Sequence, residues 1–447
     1  MATIVRAQPI GPKNPPVFGH LKEFRANPVQ FLERMARTYG DICYFRLGPQ
    51  DTYLINHPDY IRDVLVTHQG NFLKSRVLQR MKNLLGEGLL TSEGEFHLRQ
   101  RRLAQPAFHR DRLESYSKVM TEFAVRARER WKPGETLDID TEMMRLTLAV
   151  VAKTLFSADV EAEAGEIGES LTTILHLFRI LILPGARILE WIPTPVGRRF
   201  QRARKRLDQT IYAMIAERRN SGEDRGDLLS MLLMAKDEDG TGSMDDVQVR
   251  DEAMTIFLAG HETTANALTW TWYLLSQNPD CERALHEELD GVLGGRPPRF
   301  EDVPNLKYAE KIFAESMRLY PPAWAIGRLA KNDYRVGEWT IPAGSVVLSS
   351  TWVMHRDPRY YPDPLRFDPE RWTPEAKESR PKFTYFPFGG GSRLCIGERF
   401  AWMEGILLLT AIAQQWKLRL VPGHPVDTLP LITLRPRHGM KMIADPR

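Results

Sequence analysis

The residues best suited to chemistry lie in one short stretch, Phe388-Gly389-Gly390-Gly391-Ser392-Arg393-Leu394-Cys395-Ile396-Gly397. A loop of three glycines presents a single cysteine, and an apolar helix is expected to follow from Glu398 to Trp416. Glycines let the backbone approach a flat ligand closely. The N-terminus of the helix that follows favours a thiolate through its aligned N–H groups. Arg393, two residues before Cys395, adds a fixed cation beside the same ligand. Such a thiolate is the axial ligand a haem iron takes when strong electron donation is needed to cleave an O–O bond.

A second constellation is Ala259-Gly260-His261-Glu262-Thr263-Thr264, in the middle of a helix predicted over Asp251–Gln277. That helix is apolar on nearly every face (Ile256, Phe257, Leu258, Leu268, Trp270, Trp272) and so belongs in the centre of a large protein. A glycine, an acid and two hydroxyls there cost stability, glycine alone about 1 kcal/mol against alanine. Two readings stay open on the residues alone: a kinked core helix with back-bonded threonines, or a proton-handling site. Ala259 and Thr263 are four residues apart and face the same way. His261-Glu262 also opens a His-Glu-x-x-His zinc pattern, but Ala265 stands where the second histidine is required.

Phe388, Gly391, Arg393, Cys395 and Gly397 form a Phe-x-x-Gly-x-Arg-x-Cys-x-Gly pattern that resembles the haem-binding signature of the cytochrome P-450 family. Glu315 and Arg318 resemble the family's Glu-x-x-Arg pair, with Arg371 of Phe367–Trp372 as the expected third member of a folding lock. The helix around Ala259, Gly260, Glu262 and Thr263 resembles the family's oxygen-activation helix. The resemblance implies that Gly260 opens a groove for dioxygen, that the Thr263 hydroxyl holds a water or hydroperoxide, and that Glu262 feeds protons to it. His97 and Arg101 stand one helical turn apart where the family often has tryptophan and arginine on a haem propionate, and Arg328 is a further propionate candidate. Phe388, Gly389, Arg393 and Gly397 complete the implied cofactor contacts, with Cys395 the metal ligand.

The resemblance therefore implies haem b (iron protoporphyrin IX) with an axial cysteine thiolate, and dioxygen as co-substrate. It implies a mainly α fold with small β-sheets, a single-domain triangular helical prism with the haem between the long central helix and the Cys-loop helix. The whole of 1–447 reads as that haem domain, β-rich near 40–70 and 325–440 and helix-rich near 90–320. No fused reductase is expected, so electrons are expected from NAD(P)H through a separate ferredoxin or flavodoxin and its reductase, with Arg101 and Arg102 as docking cations. The expected activity is hydroxylation or epoxidation of an apolar molecule such as a fatty acid, terpenoid or steroid. The rivals within the haem class are a peroxygenase, an isomerase and a gas sensor; these tend to lose the acid–threonine pair that Glu262 and Thr263 retain. The substrate is expected against Arg76–Leu90, Leu171–Ile192, Phe257–Ala259, Ala323–Ile326 and the turn near Ile432.

Helices are predicted at Pro28–Tyr39, Glu95–Ala107, Leu113–Arg130, Val196–Arg219 and Leu306–Tyr320 as well. Strands are predicted at Ile42–Leu47, Thr52–Ile55, Trp339–Ile341 and Val346–Ser350. Arg218–Asp227, Lys236–Asp246 and Gly291–Pro298 read as loops. The 447 residues hold 61 Lys and Arg against 57 Asp and Glu, a net +4 that is too dilute for a nucleic-acid partner. Three widely spaced cysteines, Cys43, Cys281 and Cys395, cannot build a disulfide framework. The N-terminus lacks the apolar core of a signal peptide, and the apolar run Ile174–Leu183 is too short and too interrupted to span a membrane. A cytoplasmic monomer without a membrane span is expected.

Overall fold

The computed structural model describes residues 8–158, 167–168, 170–171, 173–174, 194–235 and 243–447. The chain divides into two compact units, Met1–Gln79 with Met317–Cys395, and Arg80–Ser316 with Ile396–Arg447.

In the first unit, the helix Pro28–Tyr39 starts where the Asn27 side chain accepts the Gln30 N–H and stops at Gly40, whose φ is 84°. Its apolar residues Val29, Phe31, Leu32 and Met35 recur at helical spacing and are all buried. Phe31, Leu32 and Met35 pack with Cys43, Phe45 and Leu54 of the adjoining strands. Each such large apolar side chain contributes about 1.5–3 kcal/mol on burial. Those strands belong to a five-stranded sheet in the order Ile42–Leu47, Gln50–Ile55, Val346–Ser349, Ile326–Ala330, Phe72–Lys74. Gln50–Ile55 pairs parallel to Val346–Ser349, with Tyr53 opposite Val347, while the remaining neighbours are antiparallel. Tyr334–Val336 and Trp339–Ile341 make a separate hairpin.

The second unit is built on a 32-residue helix, Asp246–Gln277, about 48 Å long at 1.5 Å per residue. Helices Ile139–Phe156, Pro195–Ser221 and Glu398–Ala413 pack on it. Burial on all sides follows from its all-round apolar sequence. Glu398–Ala413 lies close to Lys307–Leu319, and only a glycine at 405 permits this: a Cβ there would stand 2.3 Å from the Phe313 ring.

Several expected boundaries move. The central helix begins at Asp246 because the Asp245 carboxylate caps it, accepting the Gln248 N–H. Pro195–Ser221 runs into the expected loop and ends only at Gly222, in the left-handed region. Pro279–Leu293 likewise reaches into the expected loop at Gly291. The Cys-loop helix ends at Ala413; Trp416 instead opens the strand Trp416–Leu420, its indole donating to the Arg128 carbonyl at 2.8 Å. The expected Arg76–Leu90 loop contains two short helices, Arg76–Arg80 and Lys82–Leu85. A three-stranded sheet of Glu135–Asp138, Lys441–Pro446 and Trp416–Leu420 adds strands that the sequence pattern did not mark.

Candidate active site

In the first unit, Cys395 is exposed on an irregular loop. Its N–H donates to the Phe388 carbonyl at 3.0 Å, closing the loop on itself. The three glycines have different duties. A Cβ on Gly391 would sit 2.1 Å from the Leu65 carbonyl oxygen, and one on Gly390 would strike the Phe383 ring at 2.7 Å. Gly389 alone keeps ordinary space, with Ile326 Cδ1 at 3.5 Å from its would-be Cβ. The loop's own packing thus requires glycine at 390 and 391, whatever else they serve. Gln69 Oε1 completes the tie, accepting the Ser392 N–H at 2.7 Å and its hydroxyl at 2.8 Å. Phe388, Gly389 and Arg393 are half-buried beside the exposed thiol.

Behind this loop lies a support that the sequence reading missed. His355, fully buried, accepts the Phe386 N–H on Nε2 at 3.0 Å. Burial and the Arg318 and Arg356 guanidiniums hold the His355 pKa well below the ordinary histidine range, so the ring is a neutral acceptor. The Arg318 guanidinium, also fully buried, donates to the carbonyls of His355 (2.9 Å), Pro364 (2.7 Å) and Arg366 (3.1 Å). Arg371 donates to the Asp363 carbonyl at 3.0 Å. Arg318 and Arg371 thus brace the 355–371 segment through its carbonyls. Arg328 lies half-buried on the strand Ile326–Ala330, opposite Val347 and Lys74.

In the second unit, every residue from Val249 to Trp272 is buried except Ala259, Gly260 and Thr263. These stand at i, i+1 and i+4, so the helix bares one face at this point alone. Its threonines do back-bond: Thr263 Oγ1 donates to the Ala259 carbonyl at 2.8 Å and Thr264 Oγ1 to that of Gly260 at 3.4 Å. A Cβ on Gly260 would meet Val151 Cγ2 at 3.1 Å, so close helix packing gives this glycine a second reason to be there.

Glu262 points elsewhere. It is 2% exposed, and Oε1 accepts the Thr433 hydroxyl at 2.6 Å and lies 3.4 Å from Arg435 Nε. Burial raises its pKa, while Arg435 and the Thr433 hydroxyl offset part of the rise. Asn266 Nδ2 holds the same hydroxyl at 3.1 Å. The Glu262 carboxyl is tied to the turn at Leu431–Thr433 and the strand Leu434–Pro436.

His97 and Arg101 share the helix Gly94–Ala104, one turn apart as expected. His97 is 3% exposed, with its Nδ1 3.4 Å from the Ser92 hydroxyl. Arg101 is half-buried and Arg102 exposed. Gly397 caps the helix Glu398–Ala413. Asp251 and Glu252 of the central helix accept the Glu87 and Leu89 N–H groups, at 2.8 Å and 2.9 Å, which fixes part of the expected substrate-lining segment. Leu171–Ile192 lies almost wholly outside the described residues. In the first unit, the exposed thiol on its self-closed loop has the chemistry of a haem-iron ligand; in the second, taken by itself, the otherwise sealed helix bares an alanine–glycine–threonine face.

The comparisons agree. The family model for Cytochrome P450 matches residues 9–442. Over 98% of its length the chain is 41% identical to "Cyclooctatin synthase" of Streptomyces melanosporofaciens, covering 95% of that protein. It is 40% identical to "Cyclooctat-9-en-7-ol 5-monooxygenase" of the same organism, over 92% of this chain and 90% of the relative. It is 36% identical to "Pentalenene oxygenase" of Streptomyces avermitilis, over 94% and 93% of the two chains. The chain belongs to the cytochrome P450 family. It is a P450 monooxygenase, an enzyme of haem-thiolate chemistry that draws on dioxygen and reducing equivalents to oxidise a hydrophobic small molecule. Among the described residues no helix is long and apolar enough to cross a membrane.

Proposed function

We propose that this chain hydroxylates a cyclic terpene or terpene alcohol, with haem b held by Cys395 as axial thiolate. The observation that carries the substrate class is the identity of 36–41% to relatives named for cyclooctatin, cyclooctat-9-en-7-ol and pentalenene chemistry. Bound haem supplies the one-electron and dioxygen chemistry. The protein's own residues do the rest. Cys395 gives the thiolate, and Phe388, Gly389 and Gly397 flank it. Arg393, His97, Arg101 and Arg328 pair with the propionates by charge-assisted hydrogen bonds. Ala259 and Gly260 keep the bared helix face small, Thr263 offers a hydroxyl there for proton transfer, and Glu262 is the acid nearest to it in sequence. The single match of the family over residues 9–442 supports one haem domain made of both units. A ferredoxin or flavodoxin with an NAD(P)H-dependent reductase delivers the electrons to a cytoplasmic monomer.

The test is an optical titration of the purified holoenzyme with cyclic diterpene alcohols, sesquiterpene hydrocarbons, fatty acids and steroids. A saturable Soret shift with the terpenoids alone supports the reading. A shift with fatty acids or steroids alone overturns the substrate class. A thiolate-type carbon monoxide spectrum that survives Cys395→Ser overturns the ligand assignment.

A further inference from the structure

The tie on Ser392 starts from a distinctive stretch of the first unit. The helix Pro58–Arg62 widens at its end into a π-type turn, Asp63–Thr67, closed by the His68 N–H on the Asp63 carbonyl at 2.8 Å. Such turns are rare and frequently sit at functional sites. The Asp63 carboxylate pins both ends of this one: Oδ1 lies 2.7 Å from His68 Nδ1, and Oδ2 accepts the Tyr334 hydroxyl. Val64 and Leu65 within the turn are buried with Tyr334 and Phe386 in one apolar cluster. Beyond the turn, Gln69–Asn71 leads into the strand Phe72–Lys74, which pairs with Ile326–Ala330. Gln69 is therefore held from both sides.

Positions 65, 66 and 69 meet the Cys loop. A Cβ on Gly391 would overlap the Leu65 carbonyl oxygen, at 2.1 Å, and come within 2.6 Å of Gln69 Oε1. Val66 Cγ2 stands 3.7 Å from the place a Cβ on Gly390 would take. Of the three, Gln69 bonds the loop: Oε1 accepts the Ser392 N–H at 2.7 Å and the Ser392 hydroxyl at 2.8 Å. A backbone N–H can only donate, so the amide atom that faces it is the oxygen. Gln69 Nε2 makes no hydrogen bond among the described residues. Ser392 is the middle residue of the turn Gly391–Arg393. That turn passes its position on, because the Leu394 N–H donates to the Gly391 carbonyl at 3.1 Å and the Cys395 N–H to the Phe388 carbonyl at 3.0 Å. Successive ties thus lead from Gln69 to the backbone that carries the thiol.

We propose that Gln69 is a positioning residue for the Cys395 thiolate, acting through Ser392 on the turn Gly391–Arg393. The inference rests on the proposed ligation of haem by Cys395. What position 69 supplies is one acceptor oxygen, at a place fixed by the π-type turn before it. Removing that oxygen leaves two Ser392 donors without their acceptor. The turn then has water as its only replacement partner, and Cys395, two residues past it, presents its sulfur less uniformly. Groups that hold a metal ligand from outside its coordination sphere act in this way on the ligand's orientation. Gln69 touches neither the thiol nor any reacting atom, so its effect appears in how firmly the thiolate is kept.

The test follows the carbon monoxide spectrum of the reduced holoenzyme with time in dilute urea, together with hydrogen exchange at the Ser392 amide. In Gln69→Leu the thiolate-type band should give way to the form without thiolate roughly tenfold faster than in the native protein, and Ser392 exchange should quicken with it. Gln69→Glu keeps an acceptor oxygen and should stay within about twofold of native. Ser392→Ala loses the hydroxyl alone, so it should fall between these two and change nothing further in a Gln69→Leu background. Gln69→Asn, one methylene shorter, repeats the comparison with a polar side chain should leucine prevent haem uptake. Asn332→Ala is the control: it cuts the 3.0 Å contact to Asn71 Oδ1, which holds the same segment away from the Cys loop, and should leave the band's lifetime native. A native lifetime in Gln69→Leu and Gln69→Asn, or no rescue by Gln69→Glu, overturns the proposal. An equal loss in Asn332→Ala overturns it too, since general loosening would then suffice. Failure of the ligand reading looks different: a thiolate-type band that survives Cys395→Ser, which no change at 69 produces.

Discussion

His355 Nε2 accepts the backbone N–H of Phe386 at 3.0 Å, two residues ahead of the motif that carries the cysteine. The His355 carbonyl receives the buried Arg318 guanidinium at 2.9 Å. One neutral imidazole therefore joins the arginine of the Glu-x-x-Arg pair to the start of the Cys loop. The ring also stacks on Tyr385, with centroids 4.9 Å apart, and Tyr385 rests on Trp372 at 4.3 Å. The loop reaches its shape through a chain of contacts that begins far from the thiol.

Replacing His355 by phenylalanine keeps the ring contacts but leaves the buried Phe386 N–H without its acceptor. An unpaired buried donor costs about 1–3 kcal/mol. The urea midpoint should fall accordingly, and haem should leave the variant faster on transfer to an apo-acceptor protein. Unchanged haem loss would mean that the loop holds its shape without this bond.

The same ring makes stability depend on acid. His355 lies well below its ordinary value and His261 at about 4, both through burial. The unfolded chain therefore binds protons that the folded one refuses, and stability falls as pH drops below about 6.5. The gap from 6.5 to about 4 for His261 is worth roughly 3 kcal/mol at 1.36 kcal/mol per pH unit. Urea unfolding at pH values between about 7.5 and 4 should show this loss, and His261→Gln should shallow the slope.

What was legible in the sequence was local. The helix Pro28–Tyr39 and strand Ile42–Leu47 are found at their expected bounds because their spacing and terminal residues act over a few positions. The cysteine motif is legible for the same reason. The central helix starts early because the acidic run before Val247 looks like loop, whereas Asp245 is a cap. Glu262 is held by Thr433, 171 residues downstream, and no local pattern records such a pairing. His355 resembled any isolated histidine, because its role comes from Arg318 and Phe386 meeting it in space.

Gly389 and Gly391 give a contrast within one loop. Both have positive φ, 79° and 67°, so alanine at either is strained by about 1–2 kcal/mol. At 391 the new Cβ would also overlap the Leu65 carbonyl oxygen at 2.1 Å, whereas at 389 it meets only a methyl at 3.5 Å. Gly391→Ala should unfold at clearly lower urea than Gly389→Ala and retain little haem. Equal losses would show that backbone strain, not the Leu65 contact, decides the loop.

Glu404 sets the alkaline limit. It is fully buried on the helix Glu398–Ala413, and burial pushes its pKa from 4.5 up to about 8, with the Thr264 hydroxyl lowering it slightly. The folded chain keeps a proton here that the unfolded chain releases. Its stabilising effect is complete below about pH 4.5 and is lost as pH rises through about 8. The full difference is roughly 5 kcal/mol at 1.36 kcal/mol per pH unit. Glutamine mimics the protonated acid, so Glu404→Gln should match the native protein near pH 5 and exceed it by several kcal/mol near pH 9 in urea unfolding. An alkaline slope that persists in the variant would mean that Glu404 is ionised in the folded chain and that another group carries the dependence.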